Sequence, residues 1–510
     1  MEVETPLGTI RGSIRRNVAQ FLGIQFATAE RFRKPVPVTK KPSPPQNRPP
    51  VVLKIDEVFD GDFDDEECLY LNIWKPAGMS TNKNRACFYV QRRRRRISPE
   101  SALINDIIGG LAEGQTNKIT HSGEYLARLS AELKKPVIVV CIAYRINLFG
   151  FLASKELQQF SDDGSTGNLG FFDQRCGLRW IKENIASFGG DPTNVTIFGE
   201  SAGGVSVDYL SIMFAQEKLS GTSMTLPPNR LEDAQILFDK LYVALNGPES
   251  LVGIDRVNFL LTKSTQELLA ASANLIAGAS FPTVDGVSLP ENWRSSKRTV
   301  KQFIIGTNSD EGSLFTLNPR VPSTRDQLRA TIAGRNPQHM DELMSIYDDP
   351  AAATAVKSYG KYIGDAVFYQ PVRATMRELA KTSDVYAYRF EHPMSFSSHL
   401  NIGAHHAGKL RVCIRRFLKS YESLLGEIPF VFSNEYFLTK EELKLAHTIS
   451  ENWITFTYTG APGRSWTKYV EGSGKVAVFD LKGLHMEPDT YRKKELDMLD
   501  GILNPKAAKL

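Results

Sequence analysis

Apolar positions along this chain alternate between two patterns, short continuous runs and stretches with helical spacing. The clearest run lies at 136–143, where Val137-Ile138-Val139-Val140-Cys141-Ile142 predicts a parallel strand buried on both faces. Shorter runs predict strands at 7–12, 19–27, 69–74, 195–198, 302–305 and 385–390, and the start of another at 87–90. Helical spacing marks 126–133, 231–245, 441–456 and 493–503. It also marks 171–188, through Phe172, Cys176, Trp180, Ile181 and Ile185. Residues 34–50 are proline-rich and read as loop. No internal repeat is visible, and no long Pro/Gly/Ser linker divides the chain, so a single domain over 1–510 is expected.

The most chemically loaded stretch follows the 195–198 strand. Gly199-Glu200-Ser201-Ala202-Gly203 has the form Gly-x-Ser-x-Gly, in which a strand turns sharply into a helix with the serine at a strained apex. Glycines two residues either side avoid a Cβ clash between the neighbouring strand and helix. Alone, the five residues also fit an ordinary Gly/Ser turn. The β-branched strand before them and the apolar Val205 and Val207 beyond favour a nucleophile elbow.

The surroundings of that elbow resemble the type-B carboxylesterases, the carboxylesterase/cholinesterase/lipase family. Phe188-Gly189-Gly190-Asp191-Pro192 with Asn194 to Gly204 is similar to the family's signature. Gly167-Asn168-Leu169-Gly170, Asp173-Gln174, Trp180 and the block Glu67 to Pro76 are similar to its other segments. The resemblance covers nearly the whole chain and implies an α/β-hydrolase fold, with a large, mostly parallel central sheet flanked by helices. It implies a serine hydrolase cleaving carboxylic esters through an acyl-enzyme intermediate, without metal or cofactor.

By the same resemblance Ser201 is the nucleophile. Glu311, in Asp310-Glu311-Gly312 at the C-terminal end of the 302–305 strand, is the acid. His406 is the base, with the adjacent His405 as the alternative. The oxyanion hole would comprise the amides of Gly109, Gly110 and Ala202. The order Ser–Glu–His is the one expected of α/β-hydrolases. Two blocks depart from the family pattern. Residues 91–106, containing Arg92 to Arg96, interrupt the approach to Gly109, and residues 409–426 separate His406 from Glu427-Ile428-Pro429-Phe430. Loop lengthening costs little stability, whereas misplacing a catalytic group by about 1 Å can cost a hundredfold in rate. A catalytically impaired binding or adhesion protein on this scaffold is therefore the alternative reading.

Charge changes the picture little. The net charge of +5 is matched by Arg92 to Arg96 alone, and 409–426 adds five basic residues against one acidic. The excess is local, and the Arg92 to Arg96 run has no interleaved aromatics, so no nucleic-acid partner is expected. There is no run of 18 apolar residues and hence no predicted transmembrane helix. The start, Met1-Glu2-Val3-Glu4-Thr5, does not read as a signal peptide, which suggests a cytoplasmic protein, or a secreted one should a leader precede it. Five cysteines show no metal spacing. Cys68 resembles half of a family disulfide, but Ser43 and Pro44 stand where its partner is expected, which points to a reducing compartment. The segment 46–67 holds no Trp for a quaternary-ammonium cage, so a small-molecule ester with an apolar acyl or alcohol part is the expected substrate. No feature sets the oligomeric state.

Overall fold

The computed structural model describes residues 1–39, 66–78, 84–90, 122–213, 220–222, 228–272, 275, 281–293, 296, 298, 300–317, 321–335, 337–348, 354–395, 403–406 and 428–503. The departures at 91–106 and 409–426, with Gly109 and Gly110, lie outside these residues. The chain forms two compact units. One comprises Met1–Gly221 and Pro227–Val300, the other Thr222–Leu226 and Lys301–Leu510.

In the first unit the strand order is Ser13–Arg15, Val18–Gln25, Tyr70–Pro76, Val137–Ile142, Asn84–Val90, Gly190–Phe198, Ser220–Thr222. The first three pairings are antiparallel and the remaining three parallel. Val137–Ile142 is buried at every position, as its unbroken apolar run requires. The strand expected at 195–198 starts earlier, at Gly190, with an irregularity in register between Asp191 and Val195, and only its last four residues form a buried run. Helix Leu169–Asn184 covers the predicted helical stretch, and a short 3-10 turn, Ile185–Phe188, completes it.

A buried ion pair ties this helix to the sheet. Arg145 donates from Nε and Nη2 to both carboxylate oxygens of Asp173 at 2.8 and 2.7 Å, and its own backbone N–H donates to Asp173 at 2.9 Å. A bidentate, backbone-supported carboxylate of this kind compensates the cost of taking two charges out of water. A satellite core gathers Leu148, Leu152 and Leu157 with Phe238, Leu241 and Leu260.

In the second unit Gln302–Asn308, Asp384–Phe390 and Lys475–Asp480 pair in parallel, and Gly483–Pro488 closes the edge antiparallel. The predicted strand at 302–305 runs on to Asn308, which carries the chain directly to the acidic turn. Helix Lys440–Thr459 opens with a reciprocal capping box between Thr439 and Glu442, which satisfies two of its leading N–H groups, and ends on the left-handed Gly460. Among the described residues no helix is long and apolar enough to cross a membrane.

Candidate active site

The elbow is built as the sequence predicts. Strand Gly190–Phe198 ends at Gly199, and helix Ala202–Met213 begins three residues later. Between them Ser201 has φ 52°, a left-handed conformation uncommon outside glycine. The turn is closed by Gly203 N–H donating to the Glu200 carbonyl at 2.7 Å and Val205 N–H to the Ser201 carbonyl at 3.0 Å. A Cβ at Gly199 would lie 2.4 Å from the Gly203 carbonyl carbon, so the approach of strand to helix depends on glycine there. The helix is buried from Ala202 to Ile212. Gln174 donates to Ser206 at 2.9 Å, and Arg298 pairs with the buried Asp208 at 2.9 Å, which together hold the helix in place. Ala202 N–H lies in the first turn, where backbone donors have no acceptor within the helix and the macrodipole favours negative charge.

The acid and the histidines are assembled by the second unit. Asp310 pairs with His405 as a parallel β-bridge, in which the Asp310 N–H donates to the Ala404 carbonyl at 2.8 Å. One residue further along each segment, His406 Nδ1 lies 2.7 Å from Glu311 Oε2, with both side chains buried. The Asn308 N–H donates to the other carboxylate oxygen at 2.7 Å, and the Asn308 side-chain amide donates to the His405 carbonyl at 2.9 Å. Phe368 packs against the imidazole with ring centroids 4.3 Å apart, and Phe315 lies at 5.7 Å.

His405 faces elsewhere. Its Nδ1 lies 3.1 Å from the Gly403 carbonyl, and among the described residues its buried Nε2 has no hydrogen-bond partner. Burial lowers its pKa, which keeps it neutral at pH 7. Asp310, the other carboxylate of the turn, is occupied by the Gly403 N–H at 2.9 Å and the Ser313 hydroxyl at 2.5 Å.

Burial pushes Glu311 up to about 8, the Asn308 N–H pulls against that rise, and the Asp310 charge adds to it. Burial thus favours the neutral form of this carboxyl near neutrality.

Of the residues singled out in the sequence, the structure brings Glu311 and His406 together in one unit. Ser201 and Ala202 form the elbow of the other. Two neighbours of the pair escaped sequence reasoning. Phe368 and Tyr369 sit on a π-helical turn, Gly364–Tyr369, inserted between helices Ala355–Ile363 and Gln370–Ala380. Such a turn leaves no periodic trace, although Gly364 before Gln370-Pro371 marks an interruption.

A strand-to-helix elbow bearing serine, with a buried Glu–His pair after a later parallel strand, defines a hydrolase of the α/β type. Comparison with known proteins agrees. The Carboxylesterase family model matches residues 1–498, and the chain belongs to that family; with its esterase relatives, this makes it a carboxylic ester hydrolase. It is similar to para-nitrobenzyl esterase of Bacillus subtilis (strain 168), 26% identical over 536 residues, covering 97% of this chain and 98% of that protein. It is also similar to cocaine esterase of Oryctolagus cuniculus, 28% identical over 458 residues, covering 83% and 75% respectively. A solved structure of PNB esterase superposes with a TM-score of 0.72 at 25% identity, over 98% of this chain and 99% of that one. The fold is the α/β-hydrolase fold.

Proposed function

We propose that this protein hydrolyses carboxylic esters through a covalent acyl-enzyme on Ser201, with the 1–510 chain working as a single catalytic domain. His406 would be the general base, Glu311 its orienting acid, and the amides of Ala202, Gly109 and Gly110 the oxyanion hole. The observation that carries this reading is the buried contact of 2.7 Å between His406 Nδ1 and Glu311 Oε2. A carboxylate accepting from Nδ1–H selects the tautomer whose lone pair is on Nε2, the nitrogen that must take the serine proton.

The chemistry then runs in two halves. Ser201 Oγ attacks the ester carbonyl as its proton passes to His406 Nε2, and the resulting imidazolium is stabilised by Glu311. Backbone donors hold the tetrahedral oxyanion, each contributing about 3 kcal/mol to the barrier reduction. The imidazolium protonates the departing alkoxide, leaving the acyl group on Ser201. Water, activated by the same imidazole, releases the acid. The left-handed Ser201 supports this role, because strain at a serine between a strand and a helix is the expected mark of a nucleophile elbow.

The substrate class proposed is an uncharged ester with an apolar acyl or alcohol part, with para-nitrobenzyl esters a first choice from the likeness to the bacterial esterase. Hydrolysis of 4-nitrophenyl acetate and a para-nitrobenzyl ester should be lost in Ser201→Ala, and a fluorophosphonate probe should label the parent chain alone. Equal hydrolysis by the two proteins would leave the non-catalytic binding reading in its place.

A further inference from the structure

We propose that Tyr369, backed by Tyr491, is a positioning residue that fixes the aim of Glu311 at His406. This rests on the reading that the pair serves ester hydrolysis. The route begins at the Glu311 backbone, whose buried N–H donates to the Tyr369 hydroxyl at 3.2 Å. The Tyr369 and Tyr491 rings meet edge to face with centroids 5.6 Å apart, so the two phenols stand side by side. The Tyr491 hydroxyl then donates to the Ser309 carbonyl at 2.5 Å. The chain of phenols leaves the acidic turn at Glu311 and returns to it two residues earlier.

The π-helical turn makes this possible. Consecutive side chains on an α-helix diverge by about 100° and do not normally serve one target. On Gly364–Tyr369, Phe368 reaches the imidazole and Tyr369 reaches the acid's backbone, so adjacent residues address the two halves of one pair. The turn lies hard against the acidic loop, since a Cβ on Gly312 would fall 1.8 Å from the Gly360 carbonyl oxygen and 2.9 Å from the Gly364 nitrogen. It is pinned from the far side by Asp365, which accepts from Arg492 Nε and Nη2 at 2.5 Å each and from the Tyr347 hydroxyl at 2.8 Å.

Removing the Tyr369 hydroxyl leaves the Glu311 N–H buried without its acceptor, while the ring stays to fill its space. Tyr369→Phe should lower kcat about tenfold with KM little changed, because a carboxylate held loosely stabilises the imidazolium of the transition state less well. The midpoint of the pH–rate profile should move as well. Tyr491→Phe should give a smaller change of the same kind, and it keeps the test open if Tyr369→Phe folds poorly. Proton NMR of the His406 Nδ1–H, identified by its loss in His406→Gln, supplies a readout that needs no turnover. A shift of that resonance in Tyr369→Phe sustains the inference. Unchanged kcat, pH profile and resonance overturn it, as does a lower melting temperature with pH midpoint and resonance unmoved. Should the parent chain hydrolyse no faster than Ser201→Ala, the esterase reading fails by itself, and the resonance alone decides the positioning role.

Discussion

The parallel bridge between Asp310 and His405 sets the contact between Glu311 and His406 one residue further along. Backbone register, rather than side-chain search, therefore selects which of two adjacent histidines meets the acid. A slip by one residue would offer His405 to Glu311 and turn His406 away, just as a slip between strands exchanges their faces. The side-chain amide of Asn308 guards the register by holding the His405 carbonyl.

Replacing the acid by its amide tests the role of charge apart from shape. Glu311→Gln keeps the volume and an acceptor for the Asn308 N–H, yet removes the anion that stabilises an imidazolium. The expected result is a fall in kcat of about a thousandfold to ten-thousandfold. The melting temperature should hold or rise, because burial opposes the charged form of this carboxyl. Ester hydrolysis and thermal unfolding on the same preparation check both halves.

The pH dependence has a defined sign. With the acid raised to about 8 by burial, the Glu311–His406 pair retains an extra proton at neutrality, and a protonated pair cannot take another from serine. Activity should rise with pH through that midpoint and level off above it, and the midpoint belongs to the pair rather than to either group. The logarithm of kcat/KM plotted against pH should show this single rise, and a profile already flat through neutral pH would contradict it.

At the elbow, Gly199→Ala forces a methyl carbon into the backbone of Gly203. Neither neighbour is a flexible side-chain end, so strand and helix must part. A loss of about 1–3 kcal/mol is expected, together with loss of labelling by a fluorophosphonate. Urea unfolding and probe labelling check it.

Away from the site, Asp173→Ala strands the Arg145 guanidinium in the interior of the first unit. The cost should be about 3–5 kcal/mol, most of it recovered when Arg145→Met accompanies Asp173→Leu. Denaturant midpoints for the single and double variants measure the difference.

Much of this architecture is legible in the sequence because it rests on patterns with a single physical solution. An unbroken apolar run, β-branched at all but Cys141, reads as a strand covered on both faces, as Val137–Ile142 is. The Gly-x-Ser-x-Gly elbow is legible through its flanks, the β-branched strand before it and the apolar positions after it, and the close contact at Gly199 gives the physical reason for its glycine. The hairpin of Lys475–Asp480 and Gly483–Pro488 is not read from the sequence, though Val476-Ala477-Val478-Phe479 followed by Gly483 carries its signal. Phe368, Tyr369 and Tyr491 are invisible at that level. Their importance comes from a π-helical turn and from residues brought together across 122 positions, neither of which periodicity encodes. Thr439 and Glu442 show the reverse case, in which local chemistry announces a helix start that apolar spacing places at 441.

Arg492 stands one residue before the last described helix and supplies the countercharge for Asp365, beside Tyr491 at the end of the phenol chain. A stop codon or proteolytic cut ahead of position 491 would strip away both while sparing Ser201, Glu311 and His406. The shortened product would carry every recognisable signature of the family and lack the buttress beneath its acid. Inventories of active genes that count signatures alone would score such a product as an enzyme.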